Sequence, residues 1–118
     1  MTLITAAQRQ KLLENGRAQR DAIDRQDQVL DFEPVVKLFT ADGNATGLLT
    51  ELNPDIDLAF GLCDLGLGQP ELGYVSLQEL AAARGPLGLP LECDRFFTPT
   101  RTIAAYADLA RERRRIIT

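Results

Sequence analysis

The apolar positions of the first 31 residues follow a helical period, but they are few. Thr5-Ala6-Ala7-Gln8 matches the capping box, in which Thr and Gln side chains satisfy free backbone N–H groups at a helix start. We expect a helix from about Ala6, with Leu12 and Leu13 in its apolar stripe. Asn15-Gly16 either ends that helix or is absorbed as a weak point. Residues 17–31, rich in Arg, Gln and Asp, are typical of a solvated helix or a mobile arm.

The middle of the chain changes to the composition of strands. After Pro34, Val35 to Thr40 is β-branched and aromatic, and Asp42-Gly43-Asn44 supplies turn residues that tolerate positive φ. Together with Thr46 to Leu52 this pattern predicts a β-hairpin. Further strands are expected at 58–65 and, after a glycine-rich loop, at 72–75.

The next segment mixes cap, helix and breaker signals. Ser76-Leu77-Gln78-Glu79 is a second capping box, so a helix is expected from Leu77 until Gly85-Pro86 ends it. Leu87 to Leu91 is expected as an extended loop pressed on the core, with Phe96 and Phe97 starting a short strand or docking segment.

The last helix is expected from about Thr102 and ends in a basic run. Its apolar face is predicted to contain Ile103, Tyr106, Ala107 and Ala110. The whole pattern predicts an α+β fold: a small, mostly antiparallel sheet of four or five strands packed with N-terminal, middle and C-terminal helices. We expect a single domain over 1–118, divided into a helix or arm (1–31), a sheet-containing core (34–98) and the C-terminal helix (102–118).

The amino-acid composition excludes several classes of active site. The chain has no histidine and one serine, which excludes Ser-His-Asp triads, Cys-His pairs and His-ligated metals. No stretch is apolar enough for a membrane span or a signal peptide, so a cytoplasmic protein is expected. In that compartment Cys63 and Cys93 are expected as buried, reduced thiols. No cofactor, metal site or catalytic residue is predicted.

Charge is unevenly distributed along the chain. Residues 31–94 carry eleven acids and two bases, whereas residues 95–118 carry six bases and two acids. The arginines of the final run, Arg111, Arg113, Arg114 and Arg115, are candidates for nucleic-acid contact, but a helix C-terminus also favours cations. An acidic body disfavours nucleic acid except at that end.

Carboxylates are the remaining candidates for chemistry. Glu51, Asp64, Glu71, Glu92 and Asp94 lie near predicted strand ends, where an antiparallel sheet gathers side chains on one rim. Two or three together would bind a divalent cation or perform acid/base work; the simpler interpretation is solvated carboxylates paired with Arg84 or Arg95. Gly66-x-Gly68 fails the spacing of known phosphate loops, and the flanking Asp64 and Glu71 would repel phosphate, so these glycines are assigned to tight turns.

Two blocks of the sequence are specific enough to carry a resemblance. They are Glu71-Leu72-Gly73-Tyr74-Val75-Ser76-Leu77 and Arg84-Gly85-Pro86-Leu87-Gly88-Leu89-Pro90, and together with residues 36–40, 49–52 and 60–62 they make the chain resemble a bacterial domain-of-unknown-function family numbered 2958. The chain has Gly47 where that family usually has Trp, and Cys93 where it usually has Arg. The resemblance implies a small accessory protein of a plasmid or other mobile element and brings no catalytic residue set.

Three functions therefore compete. The favoured one is a non-enzymatic module that binds an unidentified protein through an acidic face, with Glu71, Tyr74, Arg84, Glu92 and Asp94 as candidate binding residues. Nucleic-acid binding through the arginine run and a carboxylate- or metal-dependent hydrolase are the alternatives.

Overall fold

The computed structural model describes residues 3–64 and 66–118, which form three helices and one antiparallel five-stranded sheet. The helices are α1 (Ala6–Asp24), α2 (Leu77–Ala82) and α3 (Ile103–Arg113). The strands are β1 (Val36–Thr40), β2 (Thr46–Leu52), β3 (Ala59–Asp64), β4 (Glu71–Val75) and β5 (Leu91–Cys93), in the spatial order β4-β3-β2-β1-β5. The predicted α+β class is confirmed.

Helix α1 absorbs the Asn15-Gly16 pair and does not end there. The Thr5 capping box forms as predicted, and the Asn15 amide donates to the backbone carbonyl of Thr50 at 2.9 Å. Gly16 lies directly against β2, where an added Cβ would stand 1.9 Å from the Leu52 carbonyl oxygen. The glycine is therefore required for close packing of α1 on the sheet.

The sheet separates two buried clusters, because successive side chains of a strand point to opposite faces. Leu49 of β2 packs with Leu12 of α1, whereas its neighbour Leu48 packs with Ile103 and Tyr106 of α3. The predicted apolar face of α3 is buried as expected. The two long helices thus cover opposite faces and leave the outer strands, β4 and β5, at the edges.

Helix α2 is shorter than predicted and is capped differently. It ends at Ala82, because Ala83 is extended and Arg84 pairs with Pro90 across a tight loop. Ser76 accepts from the Glu79 N–H, but the carboxylate of Asp57 accepts from the N–H groups of Leu77 and Gln78. The pKa of Asp57 is lowered, chiefly by the hydrogen bond from the Ser76 hydroxyl.

The prediction that Leu87 to Leu91 presses on the core is wrong for the loop itself. Asp42 accepts from the N–H groups of Leu87 and Leu89, at 2.7 and 3.2 Å, so the loop is held by its backbone. The Leu87 side chain is 81% exposed. Of the two alternatives predicted at Phe96 and Phe97, a short strand or a docking segment, the structure has no strand there, and β5 begins at Leu91, in the segment predicted as a loop. Phe96 is 95% exposed, whereas Phe97 docks against Tyr106.

Candidate functional site

The five candidate binding residues lie at opposite edges of the sheet. Glu71 and Tyr74 belong to β4, whereas Arg84, Glu92 and Asp94 lie in or next to β5. Four strand spacings separate β4 from β5, a distance of about 19 Å. The five residues therefore form two groups, and each edge is considered separately.

At the first edge, β4 presents an exposed apolar surface. Leu72 and Tyr74 lie on the same face of the strand and are 41% and 67% exposed. The Tyr74 ring packs edge to face against Phe60, with ring centroids 5.1 Å apart, and this contact orients the Tyr74 side chain. Leu67, in the preceding loop, is 77% exposed.

Two shallow grooves meet at Tyr74. One, of about 370 Å³, is lined by Leu67, Glu71 and Leu72; the other, of about 140 Å³, is lined by Ile23 of α1 and by Phe60. We name Ile23, Leu67, Glu71, Leu72 and Tyr74 together the β4 edge surface. Strand alternation in the sequence places Leu72 and Tyr74 on one face of β4, whereas the contribution of Ile23 to this surface depends on tertiary packing.

The β4 edge surface is acidic. Residues 57–83, which contain β3, β4 and α2, carry four acids and no base. Arg20, which lines the smaller groove, is paired with Asp55 at 2.5 Å. The exposed carboxylates of Glu71 and Glu79 therefore set the sign of the charge near β4.

At the second edge, Arg84, Glu92 and Arg95 line a cleft of about 530 Å³. The expected ion pairs of Arg84 or Arg95 with Glu92 or Asp94 are absent from the described residues. The Arg84 guanidinium donates instead to the carbonyl oxygens of Ala81 and Ala83, so its role there is to close the C-terminus of α2.

A third feature, which we name the charged cleft, has a volume of about 640 Å³ and lies between the β1–β2 hairpin, the β3–β4 loop and the segment after α3. Lys37, Asp64, Asp94, Arg114 and Arg115 supply its charged lining. Strand alternation over residues 36–38 predicts that the Lys37 side chain lies on the face of the sheet opposite to the α1 core. Which cleft Lys37 lines depends on the tertiary fold.

The candidate nucleic-acid arginines do not form one uniform row. Arg111 is paired with Asp108 one turn earlier on α3, and Arg113 is the last helical residue. Arg114 adopts a left-handed backbone conformation with φ 58°, and Arg114 and Arg115 line the charged cleft.

The carboxylates do not gather into a metal site. Asp64 and Asp94 share the charged cleft, Glu92 lines the cleft beside Arg84, and Glu51 accepts from the Gln19 amide at 3.3 Å. Burial raises the pKa of Glu51, although the Gln19 hydrogen bond opposes this. Within residues 3–64 and 66–118 no three His, Cys, Asp or Glu side chains are placed to hold a metal ion.

The two cysteines are half-buried free thiols on a row across four strands. Cys63 pairs with Gly47, Gly47 with Leu38, and Leu38 with Cys93. Three strand spacings, about 14 Å, exclude a disulfide between them. Burial raises the pKa of the Cys63 thiol, and Gln8 donates to the Cys93 sulfur at 3.4 Å.

None of the helices described by the structure combines the length and apolar character needed to cross a membrane.

Searches of curated proteins and of solved structures found no match to the chain. The family described as "Protein of unknown function (DUF2958)" matches residues 3–117. That match spans nearly all of the 118 residues. The chain therefore belongs to the DUF2958 family.

Proposed function

We propose that this protein is a non-enzymatic interaction module whose β4 edge surface binds an extended, basic segment of a partner protein. The observation that carries the proposal is the position of β4. It pairs with β3 on one side and, in the described part of the chain, with no strand on the other, while Leu72 and Tyr74 stand exposed on it.

The backbone of β4 is suited to strand addition. An edge strand presents a row of unpaired N–H and C=O groups, which proteins usually protect with proline, bulges or inward charges. Between Glu71 and Val75 the strand has no proline and no bulge, its pairing with β3 is regular over five residues, and its one charged side chain is Glu71. A partner segment in extended conformation would continue the sheet through its main chain.

The side chains supply selectivity. Tyrosine is enriched at the centres of interfaces, because it buries a large ring while keeping a polar end. Tyr74 stands between the two grooves, so apolar residues at alternate positions of a partner strand would fill the grooves on either side of its ring.

Charge favours a basic occupant over a second copy of the chain. Residues 57–83 contain only acidic charges, so two β4 edges brought together would repel each other. Lys or Arg flanking the apolar positions of a partner strand would complement Glu71 and Glu79.

The broader setting, an accessory protein of a bacterial mobile element, is supported by the resemblance described above. The identities of neighbouring genes test it. Conjugation, replication or defence-evasion genes beside this gene in unrelated replicons are the expected outcome.

A peptide library displayed on phage tests the binding mode. Selection against the immobilised protein is expected to recover segments with alternating apolar residues and flanking Lys or Arg. Leu72→Arg and Tyr74→Arg are expected to weaken binding of a selected peptide by about tenfold or more, because each places a charge in a groove. Leu87→Arg is the matched control, since Leu87 is also an exposed leucine but lies in the 85–89 loop.

Equal losses in all three variants, or no loss in any, would contradict the proposed surface. Concentration-dependent self-association that Tyr74→Arg abolishes would replace the basic segment by a second copy as the occupant. Variants are compared only after circular dichroism confirms the same fold.

A further inference from the structure

The acidic side chains of the charged cleft already have structural partners. Asp64 accepts from the N–H groups of Gly66 and Leu67, at 2.9 and 3.1 Å, and so holds the β3–β4 loop. Asp94 accepts from the Phe96 N–H at 2.9 Å with one oxygen. Its other oxygen lies 3.9 Å from the Lys37 amine.

The basic side chains divide into one that is engaged and two that are free. Lys37 donates to the hydroxyl of Thr118 at 2.6 Å, in addition to its contact with Asp94. Arg114 and Arg115 have no ion-pair partner in the part of the chain that the structure describes. Three basic and two acidic side chains line the cleft, so its net charge is +1, in a chain whose net charge is −4.

The backbone at Arg114 is unfavourable for an arginine. Helices commonly end with a left-handed residue, but that residue is usually Gly or Asn, because a Cβ disfavours this conformation. Arg114 occupies it with φ 58° and ψ 27°. The turn directs the chain back to the sheet, where Ile116 packs against the cluster containing Leu48 and Leu62. Gln26 adopts the same conformation after α1, with φ 59°, so the turn is one way in which helices of this chain end, and at Arg114 it brings the side chain to the charged cleft.

The rest of the cleft suits a small organic phosphate. Its volume of about 640 Å³ is in the range of small-molecule sites. Half-buried Phe39 offers an aromatic ring, and Asn44 and Thr46 offer polar groups. Guanidinium groups bind phosphate through paired N–H donors, and a planar base stacks on an aromatic ring.

We infer that the charged cleft is a binding site for a phosphorylated ligand of mononucleotide size, with Arg114 and Arg115 holding the phosphate and Phe39 contacting the planar part. This site is separate from the proposed β4 edge surface, and neither depends on the other.

Isothermal titration calorimetry with pyrophosphate and adenosine 5′-monophosphate as probes tests the inference. Arg114→Gly and Arg115→Gln are each expected to weaken binding of both probes by about tenfold or more, because each removes a charge-assisted contact. Phe39→Leu is expected to weaken the nucleotide but to leave pyrophosphate unchanged. Arg111→Gln is the matched control, because Arg111 is paired with Asp108 on the helix.

The Arg114→Gly variant also separates binding from folding. Glycine adopts the left-handed conformation without a steric cost, so this variant is expected to melt at a higher temperature than the wild type while binding more weakly. Unfolding therefore cannot explain the expected loss of affinity.

Two results would overturn the inference. One is the absence of saturable binding of either probe to the wild type at millimolar concentration. The other is an equal loss from Arg111→Gln and Arg114→Gly, together with tighter, steeply salt-dependent binding of single-stranded DNA. That pattern would assign the arginines to nucleic-acid contact along the whole run.

Discussion

Single residues in this protein have roles that depend on what they are packed against. Glu51 was a candidate metal ligand or acid/base group, but it lies beside Gln19, whose amide also clamps the backbone of Leu30 through two hydrogen bonds of 2.9 Å. Burial raises the pKa of Glu51, so the folded protein favours its neutral form. A half-buried carboxylate in this position costs stability near neutral pH.

The pH dependence of that cost is a first test. The pKa of Glu51 is higher in the folded protein than in the unfolded chain. The stability cost of its charge is therefore absent below the unfolded-state pKa and grows as the pH rises through the folded-state pKa. Glu51→Gln is therefore expected to raise the melting temperature at pH 7 by about 1–4 °C, with the gain shrinking as pH approaches about 4.5.

Thermal melts from pH 4 to pH 8 measure this effect. Glu92→Gln, which neutralises an exposed carboxylate on β5, serves as the control for the loss of one negative charge. A lower melting temperature for Glu51→Gln at pH 7 would show that the charge of Glu51 stabilises the fold.

At the scale of elements, the contact between α1 and β2 fixes how the helix crosses the sheet. Gly→Ala in a helix normally stabilises it by about 1 kcal/mol. At Gly16 the added methyl group would stand 1.9 Å from the Leu52 carbonyl oxygen. Gly16→Ala is therefore expected to lower the free energy of unfolding by about 2–3 kcal/mol, as overpacking does.

Urea denaturation measures this change, with Arg17→Ala on the exposed side of the same turn as the control, expected within about 0.5 kcal/mol of the wild type. A Gly16→Ala protein as stable as the wild type would mean that α1 is free to shift on β2.

Local signals predicted the elements well where the determinants are local. The Thr5 capping box and the Asp42-Gly43-Asn44 turn act within a few residues, and α1 and the β1–β2 hairpin formed as expected. The early end of α2 depends on the pairing of Arg84 with Pro90, and the N-terminal cap of α2 and the position of the 85–89 loop depend on Asp57 and Asp42, which are distant in sequence. The positions of the candidate binding residues could not be predicted from local signals either. The sequence pattern predicts strands but not their spatial order, and that order places Glu71 and Glu92 at opposite edges of the sheet.

At the scale of the whole molecule, the two faces of the sheet are covered by helices, and the exposed apolar side chains Leu72 and Tyr74 lie on an outer edge. Helices α1 and α3 bury the centre of the sheet, which leaves β4 with an open main-chain edge beside Tyr74. The charged cleft lies elsewhere, at the rim formed by the hairpin and the segment after α3. Our two proposals thus concern separate surfaces, one for a protein segment and one for a phosphate.

The central claim is that β4 gains a partner strand, and amide hydrogen exchange of Glu71 to Val75 tests it most directly. With a selected basic peptide bound to the wild type, the outward-facing amides of β4 are predicted to exchange more slowly by about tenfold or more, while amides of β5 stay unchanged. Exchange rates in β4 that do not change on saturation with the peptide would contradict the account.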